Sequence, residues 1–286
     1  MRKVGIYYAY WCNEWDVDFL PFISKVKNLG YDQLEINGGA IVNMSSTERK
    51  FLSDEAKRQN ITLSYGIGLT ADHDVSSLDQ NIRQNGINFM KEMIKKVSEM
   101  GGNSICGTVY STWPKTLPKG DSRLKYLEQS LLSMKELVKV AEDEGVILLC
   151  ECINRFEQFL FNTCSQGMEY INEVNSPNCK ILLDTFHMNI EEDSITDAIL
   201  LAGDKLGELH IGENNRKPAG YGNMDWKAIK KALDKIDYKG ALVQEPFILP
   251  GGQVGQDIAV WREIVKNPDL DEMAKVSAEF VRKNLC

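Results

Sequence analysis

LKYLEQSLLSMKELVKVAEDEGVILLCE, residues 124–151, contains the repeating pattern that decides the fold. Its first part places apolar residues at the three- and four-residue spacing of a helix that packs one face on a sheet. Gly145 is typical of a helix C-terminal cap, and the apolar run VILLCEC (146–152) that follows indicates a buried strand. The stretch therefore predicts one helix–turn–strand unit of an α/β protein. The apolar stripe of the helix consists of Leu124, Leu127, Leu131, Met134, Leu137 and Ala141.

The same unit recurs along the whole chain, without a Gly/Ser linker or a low-complexity tract. A second helical stripe runs through Ile87, Met90, Ile94 and Val97. We predict a single (β/α)8 barrel of the TIM type that spans residues 1–286 as one domain. A doubly wound open sheet is the alternative, but no GxGxxG or GxxxxGK[ST] motif supports a nucleotide-binding sheet. The candidate strands are 4–10, 33–36, 61–67, 104–108, 146–152, 180–184, 206–212 and 241–246.

Composition excludes several classes of protein. The chain has 286 residues, of which 43% are hydrophobic and 26% charged, as in ordinary globular proteins. A net charge of −8 argues against a nucleic-acid partner. No apolar run approaches the roughly 20 residues that cross a bilayer, and the N-terminus has no signal-peptide layout. We therefore expect a cytoplasmic protein with no membrane partner.

The cysteines predict no chemistry. The seven cysteines are scattered and form no CxxC pair, unlike a disulfide framework or a thiolate zinc site. Cys150 and Cys152 flank Glu151 in the sequence. Because side chains alternate along a strand, both cysteines face the opposite side of the sheet from Glu151. We expect both thiols to be reduced and packed in the core.

Four metal-binding residue types stand at the ends of successive candidate strands. Glu151, Asp184, His210 and Glu245 lie at or near the C-terminal ends of strands five to eight. In a barrel those ends share one rim, where barrel enzymes place their active sites. A single Glu or Asp near a strand end is more often a solvated loop residue or a helix cap than a ligand. All four residues, however, adjoin apolar runs, where an unpaired charge is costly. Three carboxylates and one imidazole suit one divalent ion, Mn²⁺ first, with Co²⁺ or Mg²⁺ as alternatives.

The two remaining histidines differ in setting. His187, in DTFHMNIEED (184–193), is predicted to hydrogen-bond a substrate or a ligand residue, with a packed or capping histidine as the alternative. His73, in the polar stretch TADHDVSS (70–77), is expected to be solvated.

Longer motifs resemble those of the ketose 3-epimerases, which act on D-tagatose and D-psicose (allulose) and belong to the xylose-isomerase-like barrels. The resemblance extends over nearly the whole chain. The preferred sugar stays open, because the segments 64–74 and 104–114 depart in detail from the family pattern. The motifs are GIYYAYW (5–11), YSTWP (110–114), ECINRFEQFLFNT (151–163), DTFHMNIEED (184–193), LHIGENNR (209–216), QEPF (244–247) and GGQVGQDIAVWR (251–262).

The resemblance implies a role for each matching residue and a homodimer or homotetramer as the assembly. Glu151, Asp184, His210 and Glu245 match the metal ligands, and Glu151 and Glu245 also match the acid/base pair. The groups that hold the O1 to O3 end of the ketose correspond to Glu157, His187 and Arg216. The aromatic pocket lining corresponds to Tyr7, Trp15 and Trp113, each of which is explained equally well as packing of the barrel core or rim.

The expected reaction is reversible epimerisation of a free ketose at C3, for example D-fructose to D-psicose or D-tagatose to D-sorbose. Inverting C3 requires a base on one face and an acid on the other, which explains two glutamates. A divalent ion would stabilise the enediolate that forms as the proton leaves. The alternatives are aldose–ketose isomerisation and a non-catalytic sugar-binding barrel, and a DNA-repair nuclease is disfavoured by the few histidines and the acidic charge.

Overall fold

The computed structural model describes residues 2–286, whose strands close into a parallel eight-stranded barrel in the order β1 to β8. Each strand pairs with the next, and β8 pairs with β1 through Val4 and Leu242. The (β/α)8 barrel is thereby confirmed, and the open sheet was wrong. The strands are β1 (Val4–Tyr7), β2 (Gln33–Asn37), β3 (Thr62–Leu69), β4 (Ser104–Thr112), β5 (Ile147–Glu151), β6 (Cys179–Asp184), β7 (Leu206–Ile211) and β8 (Leu242–Gln244).

Helices surround the barrel, and local signals set several of their ends. Ser45 and Glu48 form a reciprocal capping box at the start of α3. Gly145, in the left-handed region at φ 66°, ends α5 as predicted. The helices are α1 (Leu20–Asn28), α2 (Gly38–Asn43), α3 (Ser46–Arg58), α4 (Gln80–Glu99), α5 (Arg123–Glu144), α6 (Cys164–Val174), α7 (Thr185–Glu191), α8 (Ile195–Ala202), α9 (Trp226–Lys235), α10 (Gly252–Asp257) and α11 (Leu270–Leu285).

Three strands, β1, β4 and β8, differ in length from the prediction by three residues or more. β1 stops at Tyr7, and residues 8–11 form a 3-10 helix, because the chain turns there and Tyr8 donates its hydroxyl hydrogen to the Trp15 carbonyl. β4 extends to Thr112, whose amide donates to the buried Asp74 carboxylate. β8 ends at Gln244, where its partner β1 is also near its end. Glu245 therefore lies just beyond the strand.

The buried face of α5 is rotated relative to the predicted stripe. Leu124 is 66% exposed, although we expected it to pack on the sheet. The buried face instead includes Ser130 and Ser133, whose hydroxyls donate to the carbonyls of Tyr110 and Val75. Two polar residues thus face the barrel because a β4 carbonyl and a loop carbonyl there need donors. The second half of the predicted stripe is buried, at Met134, Leu137 and Ala141.

Polar side chains, including Glu35, Glu208 and His210, are buried inside the barrel. A small apolar cluster of Cys106, Leu149 and Leu182 lies apart from the main core, which fills the space between strands and helices. Cys150 and Cys152 lie in that main core, as predicted.

No helix within residues 2–286 has both the length and the apolar character of a membrane span.

Candidate active site

The barrel brings the four strand-end residues together. Glu151 ends β5, Asp184 ends β6, His210 lies next to the last residue of β7, and Glu245 follows β8. One ligand atom from each lies within 4.8 Å of the others. Asp184 and His210 are direct partners across the β6–β7 ladder, so the sheet register itself brings them together.

The donor atoms of this cluster fit a divalent cation. Glu151 Oε1 and His210 Nδ1 are buried and have no hydrogen-bond partner among the described residues. Asp184 caps α7, because its Oδ1 accepts from the Phe186 amide at 2.6 Å. The alternative role predicted from the sequence, a helix cap, is therefore confirmed for Asp184. Glu245 Oε1 lies 3.9 Å from His210 Nδ1. Buried polar atoms without a partner are costly, and a cation among them would remove that cost.

Burial raises the pKa values of both glutamates. Burial raises the pKa of Glu151 well above its usual range, and the nearby Glu245 carboxylate raises it further. Burial also raises the pKa of Glu245 to about 7, against the opposing effects of His210 and Arg216. Two such groups near one another titrate as a pair, so a proton is readily held on one of them at neutral pH.

Arg216 lies at the edge of the cluster in a fixed orientation. Its Nη1 donates to Glu245 Oε2 at 3.1 Å, and its Nη2 lies 3.7 Å from Glu157 Oε1. The guanidinium carbon lies 4.1 Å from the ring centre of Phe186 and 5.1 Å from that of Phe247. Charge pairing and aromatic contacts together leave the arginine little freedom.

Glu157 and His187 are connected through Asn154. The Asn154 amide donates to Glu157 Oε1 at 2.8 Å and lies 2.7 Å from His187 Nδ1. Trp113 Nε1 donates to Glu157 Oε2 at 2.9 Å. Burial alone would raise the pKa of Glu157, but His187 and Arg216 lower it below its usual range. Glu157 is therefore an ionised hydrogen-bond acceptor. The sequence did not predict a role for Asn154, because an asparagine within the motif carries no distinctive pattern.

His187 faces the metal-binding cluster. Its Nε2 lies 3.7 Å from Glu151 Oε1. Burial lowers the pKa of His187, although Asp184 and Glu157 oppose this, so the ring is neutral at pH 7. Since the Asn154 side-chain and backbone amides both approach Nδ1, the ring proton is assigned to Nε2, which can donate into the site.

Aromatic rings cover the approach to these polar groups. Trp15 and Trp113 meet edge to face at 6.4 Å between ring centres. Tyr7 packs against Phe247 at 6.1 Å, and Trp15 Nε1 donates to Asp257 Oδ2 at 2.8 Å. All three predicted aromatic residues line a cavity of about 720 Å³ that also contains Glu151, Glu157, His187, His210, Arg216 and Glu245.

His73 differs from its prediction. The ring is half-buried, stacks on Phe89 at 4.3 Å between ring centres and lines the cavity. Its Nδ1 is 3.0 Å from Thr70 Oγ1. The loop packs closely on α4 at Gly86, where an added Cβ would lie 2.2 Å from the His73 carbonyl oxygen. The close packing at Gly86 therefore holds His73 against α4 instead of leaving it in solvent.

Two further carboxylates were missed. Glu35 Oε1 lies 3.2 Å from His210 Nε2, and Glu208 Oε1 lies 3.5 Å from it. Both face the barrel interior from within strands, and a pattern of residues at strand ends therefore does not predict them. The period of two between Glu208 and His210 on β7 is the one sequence signal that both face the same side.

Comparisons with known proteins agree with this architecture. Residues 23–264 match the xylose isomerase-like TIM barrel family. The chain is 42% identical to D-psicose 3-epimerase of Ruminiclostridium cellulolyticum over 283 residues, which are 98% of this chain and 97% of that protein. It is 31% identical to L-ribulose 3-epimerase of Methylomonas sp., over 96% of this chain and 94% of that one.

Solved structures give the same result. The crystal structure of D-psicose 3-epimerase with D-tagatose from Clostridium cellulolyticum H10 has a TM-score of 0.97 at 42% identity, covering 99% of both chains. A D-psicose 3-epimerase solved in the presence of D-fructose also has a TM-score of 0.97, at 38% identity over 99% of both chains. The chain therefore belongs to the xylose isomerase-like TIM barrel family and, within it, to the ketose 3-epimerases, which are carbohydrate epimerases of the isomerase class.

Proposed function

We propose that this enzyme catalyses reversible C3 epimerisation of free ketoses, such as D-fructose to D-psicose or D-tagatose to D-sorbose, with Glu151 and Glu245 as the two proton carriers. One observation carries the proposal. Two glutamates with raised pKa values, one at the end of β5 and one just after β8, line one cavity and belong to the four-residue cluster that fits a divalent ion.

The pair of glutamates meets the main demand of the reaction. The C3 hydrogen is α to the C2 carbonyl, so a carboxylate can remove it and leave an enediolate. Inversion then requires a proton from a second carboxyl group on the opposite face. Glu151 and Glu245 exchange these roles between the forward and reverse reactions.

The metal site supplies the remaining electrostatics. Glu151, Asp184, His210 and Glu245 would hold the ion through three carboxylates and one imidazole. Such an oxygen-rich set suits Mn²⁺ first, with Co²⁺ or Mg²⁺ also accepted. When bound, a divalent ion supplies a Lewis acid that polarises the C2 carbonyl.

Three polar residues would orient the head of the sugar. Arg216 and His187 present N–H donors to O1 to O3, while the ionised Glu157 accepts a hydroxyl hydrogen bond. Precise placement matters, because a shift of about 1 Å can cost roughly 100-fold in rate. Tyr7, Trp15 and Trp113 would cover the apolar faces of the sugar and limit the entry of water.

The cavity lining favours a free rather than a phosphorylated ketose. Arg216 is the only arginine or lysine among the described residues that line the cavity, and it is paired with Glu245 and Glu157. The outer part contains Asp16, Glu48 and Asp257, which would repel a phosphate. The names of the relatives, D-psicose 3-epimerase and L-ribulose 3-epimerase, are consistent with free ketoses.

Isotope exchange tests the proposal. The enzyme is stripped of metal, reloaded with Mn²⁺, Co²⁺ or Mg²⁺, and incubated with D-fructose, D-psicose and D-tagatose in D₂O. We expect the C3 epimer and deuterium at C3. Deuterium at C1 would instead assign aldose–ketose isomerisation, and sugar binding without exchange would assign a non-catalytic barrel.

We also propose a homodimer or homotetramer. Leu124 and Leu132 of α5 are 66% and 58% exposed, and leucines at this density on one helix suit a contact between subunits. Light scattering on the purified enzyme tests this, and a monomer at micromolar concentration would contradict it.

A further inference from the structure

Two buried carboxylates of the barrel interior face the nitrogen of His210 that points away from the metal-binding cluster. Glu35 on β2 and Glu208 on β7 each direct Oε1 toward His210 Nε2, at 3.2 and 3.5 Å. Both side chains are almost completely inaccessible. These two oxygens and Nε2 have no hydrogen-bond partner among the described residues. The two oxygens and Nε2 can therefore form hydrogen bonds only with one another.

The second oxygen of each carboxylate is already held. Glu35 Oε2 accepts from Ser64 Oγ at 3.0 Å and from Cys106 Sγ at 3.2 Å. Glu208 Oε2 accepts from Gln33 Nε2 at 3.1 Å, and the same amide also donates to Ser64 Oγ at 2.9 Å. Because these donors fix the orientation of both carboxylates, the free Oε1 atoms are aimed at the imidazole by the barrel itself.

We propose that Glu35 is the positioning residue for His210: its Oε1 accepts the Nε2–H hydrogen and thereby leaves the Nδ1 lone pair directed at the ion site. This inference rests on the proposed function, since it assumes that an ion binds at Nδ1. A carboxylate on the outer nitrogen fixes the tautomer and orientation of a ligand imidazole and makes it a stronger donor. Glu208 lies farther from Nε2 and is held by one donor rather than two, so it is the weaker acceptor for the Nε2–H hydrogen.

A second cation among Glu35, Glu208, Cys106 and His210 is the competing explanation of the same atoms. It would require Nε2 and Nδ1 of one imidazole to bind two cations, so that the ring would lose both protons. It would also require the Cys106 thiol to lose the hydrogen that it donates to Glu35 Oε2. The hydrogen-bonded arrangement needs neither change, and we therefore favour it.

Mn²⁺ binding to the stripped enzyme tests the proposal, measured from the EPR signal of the free ion. In Glu35→Gln the amide NH₂ must face either Nε2–H or the two donors on Oε2, so a donor meets a donor in both orientations. We expect the Mn²⁺ Kd to rise about 10- to 100-fold. Glu35→Asp retains the charge and should restore part of the affinity.

Glu208→Gln is the matched control, because it is equally buried and faces the same nitrogen. Glu208 Oε1 lies farther from Nε2 than Glu35 Oε1 does, so we expect the Kd to change less than about threefold. Equal losses in the two glutamine variants would overturn the assignment to Glu35. Binding of two Mn²⁺ ions per wild-type chain would overturn the proposal in favour of a second cation.

A measurement on the wild-type enzyme needs no folded variant. The chain has only three histidines, so ¹⁵N NMR of the Mg²⁺-loaded protein can resolve the His210 ring. A proton on Nε2 is expected, and its absence would contradict the proposal. If Mn²⁺ binding depends on Glu35 but no ketose reacts, the proposed reaction fails while this inference stands. If ketoses react and Glu35→Gln binds Mn²⁺ as the wild type does, this inference fails alone.

Discussion

At the scale of single residues, the two proposed proton carriers differ in their surroundings. Glu245 is paired with Arg216, whereas Glu151 Oε1 has no hydrogen-bond partner and lies 3.7 Å from the neutral ring of His187. Burial is the largest cause of both raised pKa values; the next largest effects are repulsion by Glu245 in the case of Glu151 and the opposing charges of His210 and Arg216 in the case of Glu245. The structure thus contains two carboxyl groups of similar chemistry in unlike environments, as acid/base pairs require.

Removing either carboxyl group should abolish turnover. Glu151→Gln and Glu245→Gln keep the shape of the side chain but cannot carry a proton, so we predict that kcat falls at least about 100-fold. Product formation by chromatography measures this. Glu169→Gln, at an exposed position on α6, is the control and should retain the wild-type rate. A near-normal rate in either active-site variant would refute the two-base scheme.

Arg216 should act mainly through substrate binding. Arg216→Lys removes the planar group that contacts Phe186 and pairs with Glu245 and Glu157. Losing a charged hydrogen bond of about 1.5–3 kcal/mol predicts a rise in KM of roughly ten- to 100-fold. Steady-state kinetics test this, with Arg155→Lys in an exposed ion pair as the control. An unchanged KM would argue against sugar-head binding by Arg216.

At the scale of single elements, β4 depends on a bulge beside the cavity. The β3–β4 register shifts between Ile67 and Leu69, and Gly107 there has φ 105°. A Cβ at Gly107 would lie 2.4 Å from the Ile67 carbonyl oxygen. A glycine is therefore required both by the backbone angle and by the close approach of β3.

Gly107→Ala should destabilise the fold more than a glycine substitution at a helix end. Strain and the backbone clash together predict a loss of at least about 2 kcal/mol. Gly145→Ala has a similar positive φ but no atom within 4 Å of the added Cβ, so it should cost only about 1 kcal/mol. Urea unfolding of the two variants compares them. Equal losses would mean that the clash at Gly107 is relieved by movement of β3.

At the scale of the whole molecule, barrel closure creates the site. The residues of the site come from segments spread along the chain, from Tyr7 to Asp257. They include the four strand-end residues, the Glu35 and Glu208 carboxylates and the aromatic rings that line the cavity. Buried carboxylates repel one another in the absence of a counter-ion. The folded state should accordingly depend on the ion.

Metal removal should lower the thermal stability. At about 100 times its Kd, an ion that binds only the folded state stabilises it by about 2.7 kcal/mol, which predicts a rise in Tm of several degrees on adding Mn²⁺ to the stripped enzyme. The rise should shrink below about pH 7, because a proton on Glu245 then competes with the ion. Differential scanning calorimetry measures both effects. Asp184→Asn should respond weakly to Mn²⁺, and a full response would place the ion elsewhere.

The sequence by itself determined the eight strand–helix units and placed four metal-binding residue types at the ends of strands five to eight. These predictions succeeded because hydrophobic period, glycine caps and strand ends are local properties. Only the tertiary structure decided the β8–β1 closure, the Asn154 bridge, the rotated face of α5 and the approach of Glu35 to His210. The physical reason is that each depends on contacts between distant segments, 175 residues apart in the case of Glu35 and His210, where burial and hydrogen-bond demand override local pattern.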